Sequence, residues 1–349
     1  VTLRGVSLVQ ILIRCVVTLL LLYSDIGVLS IALGDFIGVG LCLLYEIVYC
    51  KVKLKLKIKY HYKDPQLIRS KLASALALQS VVSYLNSSID KYVLGRYLNT
   101  VYVTIYSLAV TFPEFFDEIP TVIQRLYLPQ VVKLVESGAD GEELTDFVIK
   151  PGRYQFMLVG GVLGGFILFG RQFITIWSGE STIEAWACAL LLMIPSVLPL
   201  IQNVCLSILT AMNRRMFRSY VLCGIAIVNL FLTIFLVKEF GLMGAPIGTC
   251  ISLIIGNNIA MNLYYKYVIH INVKRMFTEI LRGILPCAVL ATVLCVPLLL
   301  INIDGIIWFF AECILFCVVY GFLLVRFGLN QTEKANIFGI VKKYLRKVK

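Results

Sequence analysis

Long apolar runs alternate with short polar connections along this chain. Ten runs are of spanning length, at about 6–23, 27–50, 71–95, 101–124, 154–176, 184–211, 219–237, 244–265, 283–301 and 306–325. A helix rising ~1.5 Å per residue crosses a hydrocarbon core of ~30 Å in about 20 residues. Backbone N–H and C=O groups find no water there, so each run is predicted helical. The expected fold class is all-α: a polytopic membrane protein of ten transmembrane helices. Two of the runs interrupt the apolar pattern at helical spacing. Gln79, Ser83, Asn86 and Asp90 recur at steps of four, three and four. After a turn near Asn99, Ser107, Thr111, Glu114, Glu118, Thr121 and Arg125 recur at four, three, four, three and four. Those steps put each set on one face of its helix. Glu114 falls near the midplane, where a charge costs ~2.5–3.5 kcal/mol on insertion scales. Several such groups on one stripe imply a polar cavity; the alternative is an interhelical ion-pair patch that binds nothing.

Composition and charge sharpen this picture. Hydrophobic residues make up 59% of the chain and charged residues 15%, more apolar than a soluble protein of this size. The first run contains Arg14 and lacks a small-residue cleavage site, so it does not read as a secretory signal. A net charge of +12 would suit nucleic acid, but its distribution excludes that partner. Lys91, Arg96, Arg171 and Lys238 fall near one side and Arg14 lies within a run, while the other Lys and Arg gather on the opposite side. That asymmetry follows the positive-inside rule with both ends of the chain cytoplasmic. The 11 cysteines lie in or at the ends of apolar runs without metal-ligand spacing and read as small hydrophobes. His61 and His270 fall in cytoplasmic connections. Nothing in the sequence points to a cofactor or a metal.

The remaining runs carry weaker signals. Ser7, Gln10, Arg14 and Thr18 form a third polar stripe, in which Arg14 meets either an anionic ligand or a carboxylate of a neighbouring helix. Asp35 is buried by position, and Gly34-x3-Gly38 suits close helix packing. A similar small-residue unit returns 217 residues later, Gly27 corresponding to Gly244, which suggests two lobes related by an axis along the membrane normal. The basic KVKLKLKIKYHYKD segment reads as a cytoplasmic linker between them. Pro113 and Pro120 would break or kink the helix that carries Glu114 and Glu118. The acidic ESGADGEELTD, residues 136–146, reads as a solvated loop, and Gly160, Gly161, Gly164 and Gly165 as a packing face. Pro195, Pro199, Gln202 and Asn203 make one run kinked and partly polar, lining a cavity or bonding to a neighbouring helix. Asn229, Thr233, Asn257, Asn258 and Asn262 read as interhelical contacts. Glu312 is a single intramembrane charge in the last run, and KKYLRKVK a basic patch at the inner leaflet.

LNSSIDKYVLGRYLNTVYVTIYSLA, residues 85–109, resembles the polysaccharide and O-antigen repeat-unit flippases, in which an Asp-bearing helix precedes a Tyr-Ser-x-Ala helix. The run of Gly241, Gly244, Ala245, Gly248 and Thr249 is similar to the same family, as is the basic inter-lobe loop. The family belongs to the multidrug/oligosaccharidyl-lipid/polysaccharide exporter superfamily. Its members hold twelve or fourteen helices in two lobes, so the resemblance implies the C-terminal part of such a transporter, with four N-terminal helices missing. Residues 1–50 would then be the last two helices of the N-terminal lobe and 51–70 the linker. The six-helix C-terminal lobe would be 71–270, and 271–349 two additional helices and a basic tail.

The implied function is flipping of a polyprenyl-pyrophosphate-linked oligosaccharide across the bacterial cytoplasmic membrane by alternating access. Surface polysaccharide synthesis (O-antigen, capsule or exopolysaccharide) would use the product, with H+ or Na+ as coupling ion and membrane lipids as surroundings. Arg14, Lys91, Arg96 and Arg125 are candidates for pyrophosphate or acidic-sugar contact through charge-assisted hydrogen bonds. Asp90, Glu114, Glu118, Gln202 and Asn203 complete the cavity candidates. Asp35, Asp90, Glu114, Asp117 and Glu118 are candidates for ion coupling, since a buried carboxylate can titrate near neutrality. An ion-coupled multidrug exporter of the same superfamily is the alternative. A membrane-embedded glycan polymerase fits less well, because the outer connections are short and no His lies within a run.

The topology is directly testable. Asp140→Cys in a Cys-free background should resist an impermeant thiol reagent in intact cells and react once the membrane is opened; labelling in intact cells would invert the orientation.

Overall fold

In a computed structural model the described residues are 2–24, 27, 29–52, 71–300 and 305–335, and helix dominates them. Of the linker expected at 51–70, residues 53–70 with His61 lie outside them, as does the tail at 342–349. The chain divides into two compact units, Val1–Pro65 and Gln66–Lys349.

The first unit is an antiparallel pair, α1 (Thr2–Tyr23) and α2 (Leu29–Val52). Gly34 and Gly38 are buried at its seam. A Cβ on Gly38 would stand 3.4 Å from the Arg14 Cβ, and one on Gly34 would strike Thr18. Small residues therefore let the helices approach, as the spacing predicts. Across the seam the Arg14 Nε meets Asp35 Oδ1 at 2.6 Å.

The second unit begins with α3 (Lys71–Tyr97) and α4 (Thr100–Glu136). Asn99 ends the turn between them by accepting the backbone N–H groups of Val101 at 3.0 Å and Tyr102 at 3.2 Å, an N-cap that satisfies two orphan donors. Of the break or kink expected at Pro113 and Pro120, the break does not occur: α4 is continuous through both and through Pro129. Each proline removes one backbone bond, but packing against α5 (Gly141–Ser178) and α6 (Glu184–Ile201) holds the helix together.

The supposed acidic loop is also mostly helix. Asp140 accepts from the Glu143 N–H at 2.8 Å and Glu143 accepts from the Asp140 N–H at 3.3 Å, a capping box that opens α5. Acidic residues there are favoured by the helix dipole. Glu142 and Asp146 pair with Arg275 at 2.7 and 2.6 Å.

The chain then breaks at Gln202 and Asn203 before α7 (Val204–Ala211), continues as α8 (Met216–Phe240), and turns at Gly241, φ +59°, into α9 (Gly244–Leu253). A π-helical stretch, Ile254–Ala260, leads to α10 (Met261–Val268). The glycine run now has a physical reason. A Cβ on Gly244 would strike the Leu236 carbonyl, and one on Gly248 would stand 3.0 Å from the Thr233 N. Glycine thus lets α9 lie backbone to backbone against α8. In turn α8 packs along α3, and α9 also packs on α6.

Short α11 (Val273–Leu281) leads to α12 (Ile284–Cys295) and α13 (Ile306–Leu323), and α12 and α13 pack on α5. The α5 glycines make room: Gly161 lies under the Tyr320 ring and Gly164 under Thr292 and Phe316. Among the described residues five helices are long and apolar enough to cross a membrane, or six if the bent pair Val273–Leu281 and Ile284–Leu299 is one span. Both α3 and α4 stay outside that set because polar residues interrupt their apolar faces.

Arg153, expected among the cations of the cytoplasmic side, is buried. Its Nε and Nη2 donate to Glu333 at 2.6 and 3.1 Å, and Nη2 to the Gly328 carbonyl at 3.0 Å. Nη1 donates to the Glu279 and Arg282 carbonyls at 2.7 and 3.0 Å. One side chain thereby ties α5 to both ends of the α11–α13 segment. Arg153→Ala should lower stability by about 3–5 kcal/mol, the cost of orphaning a buried charge. Arg153→Lys should recover little, because an ammonium cannot reproduce the planar fork. Thermal unfolding and protease sensitivity near residue 330 would check this.

Candidate functional site

Helices α3, α4, α6, α7, α8, α9 and α10 line a cavity of about 400 Å³ within the second unit. At one level stands Asp90, 3% exposed. Its Oδ2 accepts from Tyr106 Oη at 2.5 Å and Thr249 Oγ1 at 2.7 Å, and its Oδ1 from Asn229 Nδ2 and Thr233 Oγ1, both at 3.0 Å. Four donors from α4, α8 and α9 fill the four acceptor positions of a carboxylate. The Thr233 and Thr249 hydroxyls also lie 3.1 Å from Asn229 Oδ1, so each can turn its single proton from the carboxylate to the amide. Within one network Asp90 is therefore both satisfied and adjustable.

The opposite level is reached along α4. Its cavity face is Tyr106, Val110, Pro113, Asp117 and Thr121. From Tyr106 to Asp117 the helix advances ~16 Å. Here Asp117 shares the lining with Arg218, Asn257, Gln202 and Asn203. Arg218 donates through Nη1 to Asn257 Oδ1. Its Nε and the Oε1 of Gln202 are buried without a hydrogen-bond partner.

The structure thus brings Asp90, Asp117, Gln202 and Asn203 to one cavity and leaves other candidates outside its lining. Glu114 and Glu118 flank Asp117 and all three are exposed in the unit, but only Asp117 is part of the cavity lining. Of the polar stripe of α4 only Thr121 lines this cavity; the rest of the helix's lining is the face carrying Tyr106, Val110, Pro113 and Asp117. Lys91 is half-buried and Arg96 and Arg125 are exposed, none of them in the lining. Arg14 and Asp35 belong to the first unit, where they pair and line a separate space of about 170 Å³ with Gln10.

Tyr106, Thr249, Asn229, Thr233 and Arg218 were not singled out for the site by sequence reasoning. A signal existed for two of them: Tyr106 stands in the Tyr-Ser-x-Ala motif and Thr249 closes the glycine run. Arg218 gave none, since a cation at a helix start reads as part of the positive-inside pattern.

An all-helical, multi-pass membrane protein with a polar cavity inside one helical unit defines the class. The chain belongs to the family described as polysaccharide biosynthesis protein, whose sequence profile matches residues 2–187. Among solved structures its fold is similar to one titled "Lipid II flippase MurJ, inward closed conformation", with a TM-score of 0.67 and 16% identity over 89% of this chain. The chain spans 65% of that structure. No curated protein sequence matches it.

Asp90→Ala would strip the acceptor from four interhelical donors. At ~0.6 kcal/mol for an average interhelical polar contact in membranes, the loss should be roughly 2–3 kcal/mol. Asp90→Asn should cost less than half of that, since its amide oxygen keeps the Asn229 and Thr233 donors while Thr249 re-aims at Asn229. Thermal unfolding in nanodiscs should show this order; equal losses would refute the re-routing.

Proposed function

We propose that this protein is a flippase, not an enzyme, and that it moves a polyprenyl-pyrophosphate-linked oligosaccharide across the bacterial cytoplasmic membrane by alternating access. The observation that carries the reading is the polar cavity holding Asp90, Asp117 and Arg218 inside a membrane bundle. A sugar chain must cross hydrocarbon without losing its hydrogen bonds, and such a space supplies them. Membership of a polysaccharide biosynthesis family and a flippase-like fold support it.

In this reading residues 1–50 close an N-terminal lobe, 51–70 link it to the lobe 71–270, and 271–349 add a helix pair, with both ends of the chain cytoplasmic. The adjustable donors around Asp90 suit a coupling group that exchanges a proton or a sodium ion during transport, and Asp117 is a second such candidate. Asp35, Glu114 and Glu118 remain candidates on charge and membrane depth alone. The exposed Arg96 and Arg125, with Lys91 and Arg14, are the candidates for the pyrophosphate. The glycan would be an O-antigen, capsule or exopolysaccharide repeat unit.

Proteoliposomes loaded with a fluorescent polyprenyl-pyrophosphate oligosaccharide would test this. The wild type should translocate it, faster under an imposed proton or sodium gradient. Asp90→Asn should slow transport about tenfold or more, equivalent to ~1.4 kcal/mol in the barrier, while Lys91→Gln should have a mild effect. Export of cationic dyes without movement of the lipid-linked sugar would favour the multidrug alternative.

A further inference from the structure

The cavity is unevenly satisfied. Around Asp90 every acceptor position is filled. At the opposite level two polar atoms of opposite kind have no partner: the Nε–H of Arg218, a donor, and the Oε1 of Gln202, an acceptor. Gln202 is only 2% exposed, and both residues share the lining with Asp117. Buried polar atoms of this kind cost free energy until something meets them.

Three ligand chemistries can be weighed against that lining. A bare cation would satisfy Gln202 and Asp117 but face the Arg218 guanidinium. A phosphate would satisfy Arg218 but face the Asp117 carboxylate and the Gln202 carbonyl oxygen. A hydroxyl both donates and accepts, so a neutral ring bearing several hydroxyls matches donor, acceptor and carboxylate together and leaves the Asp117–Arg218 charges balanced. Size narrows the choice further. At about 400 Å³ the cavity stands at the lower end of the ~300–1,000 Å³ usual for ligand pockets. That is room for a sugar ring rather than a whole oligosaccharide with its pyrophosphate.

We propose that Arg218, Gln202 and Asp117 form a subsite for a single uncharged sugar ring inside the second unit. The proposal rests on the flippase reading and adds to it: one ring of the carried glycan is gripped within this unit, while the head group and tail stay outside the cavity. The break between α6 and α7 falls at Gln202, which places this residue in the cavity lining.

Saturation-transfer NMR on the full chain in nanodiscs, free of sugar-based detergent, would test it. The probes are the methyl glycosides of glucose, galactose, N-acetylglucosamine and rhamnose, with inorganic pyrophosphate and sodium chloride compared by their effect on thermal unfolding. Saturation should reach at least one glycoside and fall about fivefold, the weight of one hydrogen bond, in Gln202→Leu and in Arg218→Met. Should Arg218→Met fail to insert, Gln202→Leu decides alone. No transfer to any glycoside, equal transfer in wild type and Gln202→Leu, or stabilisation by pyrophosphate or sodium alone would overturn the subsite; in the first case the cavity holds only water. Transport measured in parallel separates the two readings. Lipid-linked sugar moved equally well by wild type and Gln202→Leu overturns the subsite and leaves the flippase standing. Glycoside binding lost in Gln202→Leu, with no transport by the wild type, supports the subsite and overturns the flippase.

Discussion

A carboxylate at membrane depth has no water to lean on, and Asp90 is surrounded accordingly. Its donors come from three other helices, so the register of α3, α4, α8 and α9 is set by one side chain. Tyr106 must stand about two turns into α4, Asn229 and Thr233 must share a face of α8, and Thr249 must reach in from α9. That last reach is possible only because Gly244 and Gly248 let α9 touch the backbone of α8. A larger residue at either place would push Thr249 outward and leave Asp90 with a vacant acceptor position. Motif, packing and electrostatics are one constraint here.

The same logic organises the far end of the unit. Arg153 satisfies its guanidinium with Glu333 and three carbonyls drawn from segments that lie far apart in sequence. The α5 glycines bring α12 and α13 close enough for that pairing. In the cavity lining, the Arg218 Nε–H and the Gln202 Oε1 remain unmatched. Rigid, fully bonded networks hold the helices, and the incompletely bonded wall at Arg218 and Gln202 is where a ligand has free energy to gain. A transporter needs both properties: a frame that keeps its shape, and a surface whose bonds are made and broken in each cycle.

Much of the fold was legible because lipid leaves the backbone few options. Apolar length implied helix, and every expected run falls on helical structure among the described residues. Small-residue spacing implied close seams at Gly34 and Gly38 and along α5, and both are present. The capping box at Asp140 and Glu143 was written as Asp-x-x-Glu, yet its acidity read as a solvated loop. The prolines of α4 read as breaks or kinks, yet the helix continues through them because neighbouring helices hold it together.

The sequence by itself determined the class of structure, the positions of the helices, and the presence of buried charge between residues 79 and 125, because hydrophobic period and insertion cost are local properties. Which charge faces which space was decided by the tertiary structure. Glu114 and Asp117 are three residues apart on the same helix, and only the packing of α4 selects the second for the cavity. Arg153 and Glu333 lie 180 residues apart, and Arg218 meets Asn257 across two helices; no spacing rule links such pairs. Partners in a helical bundle are chosen by how helices rotate and dock, and that choice is made collectively by every side chain along the seam.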